Sequence, residues 1–336
     1  MRPEALPVDD LFSRRLIIQS GKGGTGKTTI SAALAVLAAS RGKRVLLVEL
    51  DTHDRFAGLF GQKEPLGYEV RRLCDGVHGL NLDPDLVIVD FFKTHVKLKS
   101  VYQPIVESRV FQYFYHAAPG LREFISLGKV WRLLCERRPI TGKLAWDCVI
   151  FDAPATGHAA QFLALGRVAS DVVFGPMRKN AEKIRDMLRD PALTVLNIVT
   201  IPEEMPVNEA IDLHATVRDK LEIPLGRLFL NAMAAPLFDA GEGAAFDAAA
   251  APGADPALER LLGGRAALDA LARAARARED RAGMSIRHER RLRQAIPLPL
   301  VHVPFLSGAD FNERTLMAIA EALRPLLAPA AEPAHD

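Results

Sequence analysis

Lys22, Lys27, Thr28, Asp51 and Asp152 are the residues whose types and spacing suit chemistry on a phosphate. Lys27 and Thr28 close the run Gly21-Lys22-Gly23-Gly24-Thr25-Gly26-Lys27-Thr28-Thr29, which meets the spacing G-x-x-x-x-G-K-[ST]. Glycines let a backbone curl until several N–H groups face one anion, and a helix N-terminus behind them adds its partial positive charge. Lys27 then lies along the β- and γ-phosphates, and the Thr28 hydroxyl is offered to Mg²⁺. Lys22 is a second lysine, one residue after the first glycine, where the general pattern requires none. Asp152 ends the run Asp147-Cys148-Val149-Ile150-Phe151, a place from which a carboxylate reaches the Mg²⁺ shell through water. Asp51 ends a second apolar run just after the loop's helix. It suits orienting or deprotonating an attacking water, and its plainer role is capping a helix that starts at Thr52. The competing explanation of the loop is a fortuitous glycine turn. An apolar strand before it (Leu16-Ile17-Ile18) and a helical pattern after it argue against that.

The elements that must position these residues follow from hydrophobic periodicity. Strands are expected at Arg15–Ser20, Arg44–Leu50, Asp147–Asp152, Leu193–Thr200, Arg227–Asn231 and Leu300–Pro304, several of them almost continuously apolar, as in a parallel sheet covered on both faces. Helices are expected over 30–41, stopped by Gly42, and over 178–189, 207–221 and 313–327. That alternation predicts an α/β fold, a doubly wound and mostly parallel sheet, with residues 15–327 forming one domain. Residues 1–14 read as a loosely held leader and 328–336 as a disordered tail.

Between Gly61 and Gly142 the texture changes to amphipathic spacing, through Phe91, Phe92, Val96, Leu98, Val101, Tyr102, Ile105 and Val106, then the aromatic run Val110–Tyr115 and the stripe Phe124, Leu127, Val130, Trp131, Leu134. This predicts a helical subdomain inserted between two core strands, its aromatics serving as core, with an exposed apolar groove for a partner as the alternative. Val87–Phe92 fits strand or helix equally. Residues 239–295 are rich in alanine and arginine: a mobile loop is expected at 239–256, then a helix over 256–281. Arg287, Arg290, Arg291 and Arg293 read as a solvated helix face.

Composition excludes several classes. A net charge of +2 on 336 residues gives no electrostatic case for nucleic acid as a partner. No apolar run approaches the roughly 20 residues that span a bilayer, and the acidic, proline-bearing start lacks the pattern of a signal peptide. Cys74, Cys135 and Cys148 are widely separated and form no C-x-x-C, so a disulfide framework or zinc site is not expected, and a cytoplasmic setting fits best. The loop is not repeated, which gives one phosphate-binding unit in this sequence.

The run Lys22–Thr29 resembles the deviant Walker A of dimeric P-loop ATPases related to nitrogenase iron protein, MinD and ParA. Asp152-Ala153-Pro154-Ala155-Thr156-Gly157-His158 is more discriminating, and resembles the D-T-A-P-T-G-H switch II of the ArsA family, which includes arsenite-pump ATPases and tail-anchored-protein targeting ATPases. Thr200–Glu209 also looks like that family's segment before the adenine-binding strand. The resemblance implies ATP and Mg²⁺ as cofactors and a dimer, of two copies or of two paralogues, closed across its nucleotides. It further implies that Lys22 crosses to the partner's nucleotide, that Asp51 activates the hydrolytic water, and that Asn231 reads the adenine edge. By the same resemblance Glu203 approaches the opposite subunit's nucleotide, the loop at Pro304 borders the adenine, and the helical subdomain handles a protein client or membrane-protein partner. The switch I motif departs from the family's D-P-A-H: here it is Asp51-Thr52-His53-Asp54. Between Asn231 and Leu300 there is no cysteine, unlike the zinc-binding C-x-x-C of eukaryotic targeting members. Arsenite efflux, which needs convergent thiolates, is disfavoured on the same ground. A positioning ATPase of the ParA and MinD kind is the other alternative, although the C-terminal helix lacks a basic, aromatic membrane face.

Overall fold

The computed structural model describes residues 11–50, 54–96, 98–117, 121–154, 176–306 and 312–327. Eight strands form one sheet: β1 (Leu16–Ser20), β2 (Val45–Glu49), β3 (Arg71–Cys74), β4 (Val77–Asn81), β5 (Cys148–Asp152), β6 (Thr194–Thr200), β7 (Leu225–Met233) and β8 (Leu300–Pro304). Their spatial order is β3-β4-β2-β5-β1-β6-β7-β8. Every pairing is parallel except β3 with β4 at one edge. The central strands β1, β2, β5 and β6 are buried along their whole length, which is why they are apolar almost without alternation.

Helices cover both faces. On one face lie α1 (Lys27–Ser40) and the C-terminal helix Glu313–Leu323, over Ile17, Val45, Leu47, Cys148 and Ile150. Ala32, Ala33, Ala35 and Ala38 of α1 are all buried, and such small side chains let the helix lie close between sheet and neighbour. On the other face, helices Pro176–Arg189 and Glu204–Thr216 pack on Leu16, Ile18, Leu46, Val48, Val149 and Phe151. With α2 (Phe56–Leu59), the insertion helices α3 (Pro84–His95), α4 (Lys99–Glu107), α5 (Arg109–Ala117) and α6 (Leu121–Cys135) come next, so these two helices are α7 and α8. Then follow α9 (Ala240–Ala249), α10 (Pro256–Leu261), α11 (Arg265–Ala295) and the C-terminal α12.

Four expectations need correction. The segment 61–142 is not helical throughout: residues 71–81 form β3 and β4, which extend the sheet beside β2, and helix begins at Pro84. Asp83 caps that helix by accepting from the Asp85 N–H at 2.8 Å, with Pro84 in the first turn, so Val87–Phe92 is helix. The loop expected at 239–256 contains α9, whose start is a capping box of Asp239 and Glu242. The helix expected over 256–281 is two helices, broken where Gly263 and Gly264 take positive φ, and the second runs on to Ala295. Finally, Leu11 and Phe12 are fully buried and Arg41 lies over the Phe12 ring at 4.6 Å, so these two residues of the expected leader belong to the core. Residues 1–10 and 328–336, the rest of the expected leader and the tail, lie outside the described residues.

Candidate functional site

β1 lies between β5 and β6, where the strand order reverses direction. In open α/β sheets ligands bind at that reversal, beyond the carboxyl ends of the strands. The glycine loop turns there. Gly21, Gly24 and Gly26 have φ of +152°, +82° and +89°, which L side chains rarely adopt. Space adds a second demand: a Cβ at Gly21 would stand 2.0 Å from the Val199 carbonyl oxygen, and one at Gly26 would stand 2.2 Å from Asn231 Nδ2.

The loop is braced from within and from β7. Thr25 Oγ1 and Lys27 Nζ both donate to the Lys22 carbonyl, at 2.9 and 3.0 Å. Asn231 Nδ2 donates to the Thr25 carbonyl at 2.9 Å, so the amide expected at an adenine edge holds the loop in this structure. Lys27 is buried although charged, at the first position of α1. Lys22 carries its ammonium away from the loop to the Glu209 carboxylate on α8, both side chains being about one-third exposed.

Thr28 and Asp152, far apart in sequence, meet. Thr28 Oγ1 donates to Asp152 Oδ2 at 2.6 Å, and Ser31 Oγ donates to Oδ1 at 3.5 Å. Burial pushes the Asp152 carboxyl up to about 6, against the opposing pull of the Thr28 hydroxyl, Lys27, Arg55 and Ser31. A hydroxyl and a carboxylate are hard oxygen donors, the set from which Mg²⁺ takes one or two ligands while keeping waters and phosphate oxygens for the rest. The pair fits that ion. Among the described residues no group of three or more His, Cys, Asp or Glu is arranged to hold a metal by itself.

Asp51 lies outside the described residues, as do residues 155–175, which carry Ala155 to His158 of the switch-like motif. A capping aspartate does occur among the described residues, at Asp54. Asp54 accepts from the Phe56 and Ala57 N–H groups at the start of α2, at 3.1 and 3.3 Å, and from the Leu66 N–H at 2.8 Å. Glu203, exposed just before α8, and Pro304, exposed at the end of β8, lie at the same strand-end edge as the loop. Sequence reasoning passed over Glu49, buried at the end of β2, whose Oε2 accepts from the Arg55 N–H at 3.1 Å. Its signal was a polar residue closing an otherwise apolar strand, the same signal that picked out Asp152.

The family whose description is anion-transporting ATPase matches residues 14–179, a span holding the loop, the insertion and β5. The chain is similar to the ATPase BagA of Mycobacterium tuberculosis, 30% identical over 227 residues that cover 65% of this chain and 64% of the relative. It is also similar to the ATPase GET3C of Arabidopsis thaliana, 27% identical over 269 residues (65% of this chain, 66% of the relative). The ATPase get3 of Neurospora crassa is 26% identical over 273 residues, 67% of this chain and 78% of the relative. Over residues 14–179 the chain is similar to the ArsA-type anion-transporting ATPases. It spans slightly under two thirds of the length of its mycobacterial relatives. The matched segment holds the loop, the Asp152 strand and the intervening insertion, whereas Glu203, Asn231 and Pro304 lie beyond residue 179.

Proposed function

We propose that this chain binds ATP at the Gly21–Thr29 loop and hydrolyses it, working as a cytoplasmic, dimeric switch that opens and closes a partner-binding helical subdomain. The observation that carries this reading is the Thr28–Asp152 contact at the open end of the glycine loop, which sets two hard oxygens where a nucleotide's metal belongs. The match of residues 14–179 to the anion-transporting ATPase family supports the same chemistry.

Each residue then has a task. The backbone N–H groups of Gly23 to Lys27 hold phosphate oxygens, and Lys27 adds its charge along them. Thr28 and Asp152 would hold Mg²⁺, which when bound neutralises charge between the outer phosphates. Asn231 has to let go of the Thr25 carbonyl if its amide is to read an adenine, and Lys22 has to leave Glu209 to reach a second subunit. Asp51 takes the role of orienting the attacking water. Glu203 approaches the nucleotide of the opposite subunit, and the loop at Pro304 borders the adenine. The insertion lies between the Asp51 and Asp152 segments in sequence, so a nucleotide that draws either inward pulls on both ends of it.

Phosphate release by the purified chain tests the proposal. Wild type is expected to release phosphate in Mg-ATP. Lys27→Ala should lose binding and turnover together, while Lys22→Ala should keep binding and lose turnover. Turnover by Lys22→Ala at the wild-type rate would remove the cross-subunit role, and a monomeric wild type in saturating ATP by sedimentation would remove the dimer.

A further inference from the structure

Four polar residues on adjacent strands line up beneath the first turns of α1. Glu49 of β2 stands opposite Asp152 of β5, Asp152 opposite Gln19 of β1, and Gln19 opposite Asn197 of β6. Alternation along a strand sends all four side chains to one face. Leu47, Ile150, Ile17 and Val195, two residues earlier on each strand, belong to the core under α1, and the residues between (Val48, Phe151, Ile18, Leu196) belong to the opposite core. All four are buried, Glu49 at 2%, Asp152 at 6%, and Gln19 and Asn197 at 0% relative exposure.

A row of polar side chains through the middle of a buried sheet is costly unless each is hydrogen-bonded. Asp152 has Thr28 and Ser31, Glu49 has the Arg55 N–H, and Asn197 Oδ1 accepts from the Arg227 N–H at 2.8 Å. Gln19 is different. Neither its Oε1 nor its Nε2 finds a hydrogen-bond partner among the described residues, and Asn197 Nδ2 finds none either. A methionine or leucine would fill the Gln19 position without that penalty, so packing gives no reason for an amide here. Orphaned buried polar atoms of this kind are normally completed by water or by an ion's hydration shell.

We propose that Gln19 and Glu49 are positioning residues flanking Asp152. The Gln19 amide, through an ordered water, fixes the Asp152 carboxylate. Glu49 supplies a second acceptor for the waters that a Mg²⁺-nucleotide brings, and it ties the backbone at Arg55 to the same point by accepting from the Arg55 N–H. The inference rests on the nucleotide reading above and adds to it that metal affinity is set by a row across three strands, not by Thr28 and Asp152 alone.

The test is calorimetric titration with ADP, once in Mg²⁺ and once in EDTA, of wild type, Gln19→Met, Gln19→Leu and Glu49→Gln. The gain in ADP affinity on adding Mg²⁺ is expected to shrink about tenfold in these variants, as for other outer-shell partners of a metal, while affinity in EDTA stays at the wild-type value. The metal-free thermal midpoint of Gln19→Met should be no lower than wild type, which keeps the result separate from misfolding; Gln19→Leu repeats the test with a second apolar shape. An undiminished Mg²⁺ gain would overturn the proposal, and so would an equal loss in both media, which would make the row a support of the loop as a whole. Wild-type protein that binds no ADP in either medium would overturn the nucleotide reading and this inference with it.

Discussion

The strand-end edge around the loop and the helical insertion solve opposite problems. At the edge, every side chain that matters is held by the sheet: Gln19, Glu49 and Asp152 are buried and set by strand register, and the loop is fixed by contacts to its own carbonyls and to Asn231. The insertion is held by side chains meeting side chains. Asp90 on α3 accepts from Lys129 at 2.8 Å and Arg132 at 3.2 Å on α6, and from the Tyr68 hydroxyl at 3.0 Å. Burial works against the Asp90 carboxylate, but Lys129, Tyr68 and Arg132 together hold it below the usual carboxylate range. Tyr115 is buried against Phe111, its hydroxyl donating to the Pro84 carbonyl at 2.6 Å. Yet Val110, Tyr113 and Leu98 are 82%, 74% and 67% exposed on the same group of helices. A cavity of about 200 Å³ lined by Val87, Phe91, Ile125 and Trp131 opens between α3, α6 and α7. The edge is built to hold one geometry, whereas the insertion keeps apolar surface in reserve.

The largest expected effect tests the rigid side of that contrast. Gly21→Ala, which meets a carbonyl oxygen at 2.0 Å, should cost about 4 kcal/mol in urea unfolding. Gly142→Ala, near the end of the insertion with φ +64° and nothing within 4 Å, should cost only about 1 kcal/mol. Equal costs would erase the difference between the two regions.

Next is a dependence on pH at the edge. The folded protein keeps a proton on Asp152 up to about pH 6, whereas the unfolded chain releases it near 3.8. The folded state therefore binds more protons in that window, and its stability falls as pH rises through it, by at most about 3 kcal/mol. Nucleotide-free Asp152→Asn should lose this dependence, as read from urea midpoints at pH 4.5 and 7; a slope unchanged by the substitution would assign it to other groups.

Smaller again, Asp90→Ala strands Lys129 and Arg132 and should cost about 2 kcal/mol, less than a fully buried pair because these groups are partly solvated. Nucleotide affinity should not change, since Asp90 lies in the insertion. The smallest effect on stability belongs to Val110→Ser with Tyr113→Ser, within about 0.5 kcal/mol each, because both are already in water. Under the switch reading the same pair reduces the retention of a bound partner, measured by pull-down in ATP. Retention equal to wild type would argue that this apolar face is not the docking surface.

How much of this was legible follows from the same physics. Gly21, Gly24 and Gly26 could be read because positive φ dictates their identity, and the strands could be read because burial on both faces leaves them apolar. β3 and β4 escaped because they are only partly buried and carry polar side chains such as Arg71, Arg72, His78 and Asn81, so no continuous apolar run marks them, and their register shifts between Arg72 and Cys74. α9 escaped because alanine with glycine reads as a loop until the capping box of Asp239 and Glu242 is noticed. Gln19 and Glu49 were invisible as a pair, since their proximity is created by β5 lying between β1 and β2, and only sheet order supplies that. The Lys22–Glu209 pair, separated by most of the chain, was hidden in the same way.

Equilibrium binding of a fluorescent ATP analogue in Mg²⁺ bears most directly on the central claim that the Gly21–Thr29 loop is a nucleotide site. The account predicts saturable binding by the wild-type chain, displaced by ATP and weakened at least about tenfold in Lys27→Ala, the loss of one charge-assisted contact to phosphate. Wild-type protein that shows no saturable binding, or Lys27→Ala that binds as tightly as wild type, would contradict it.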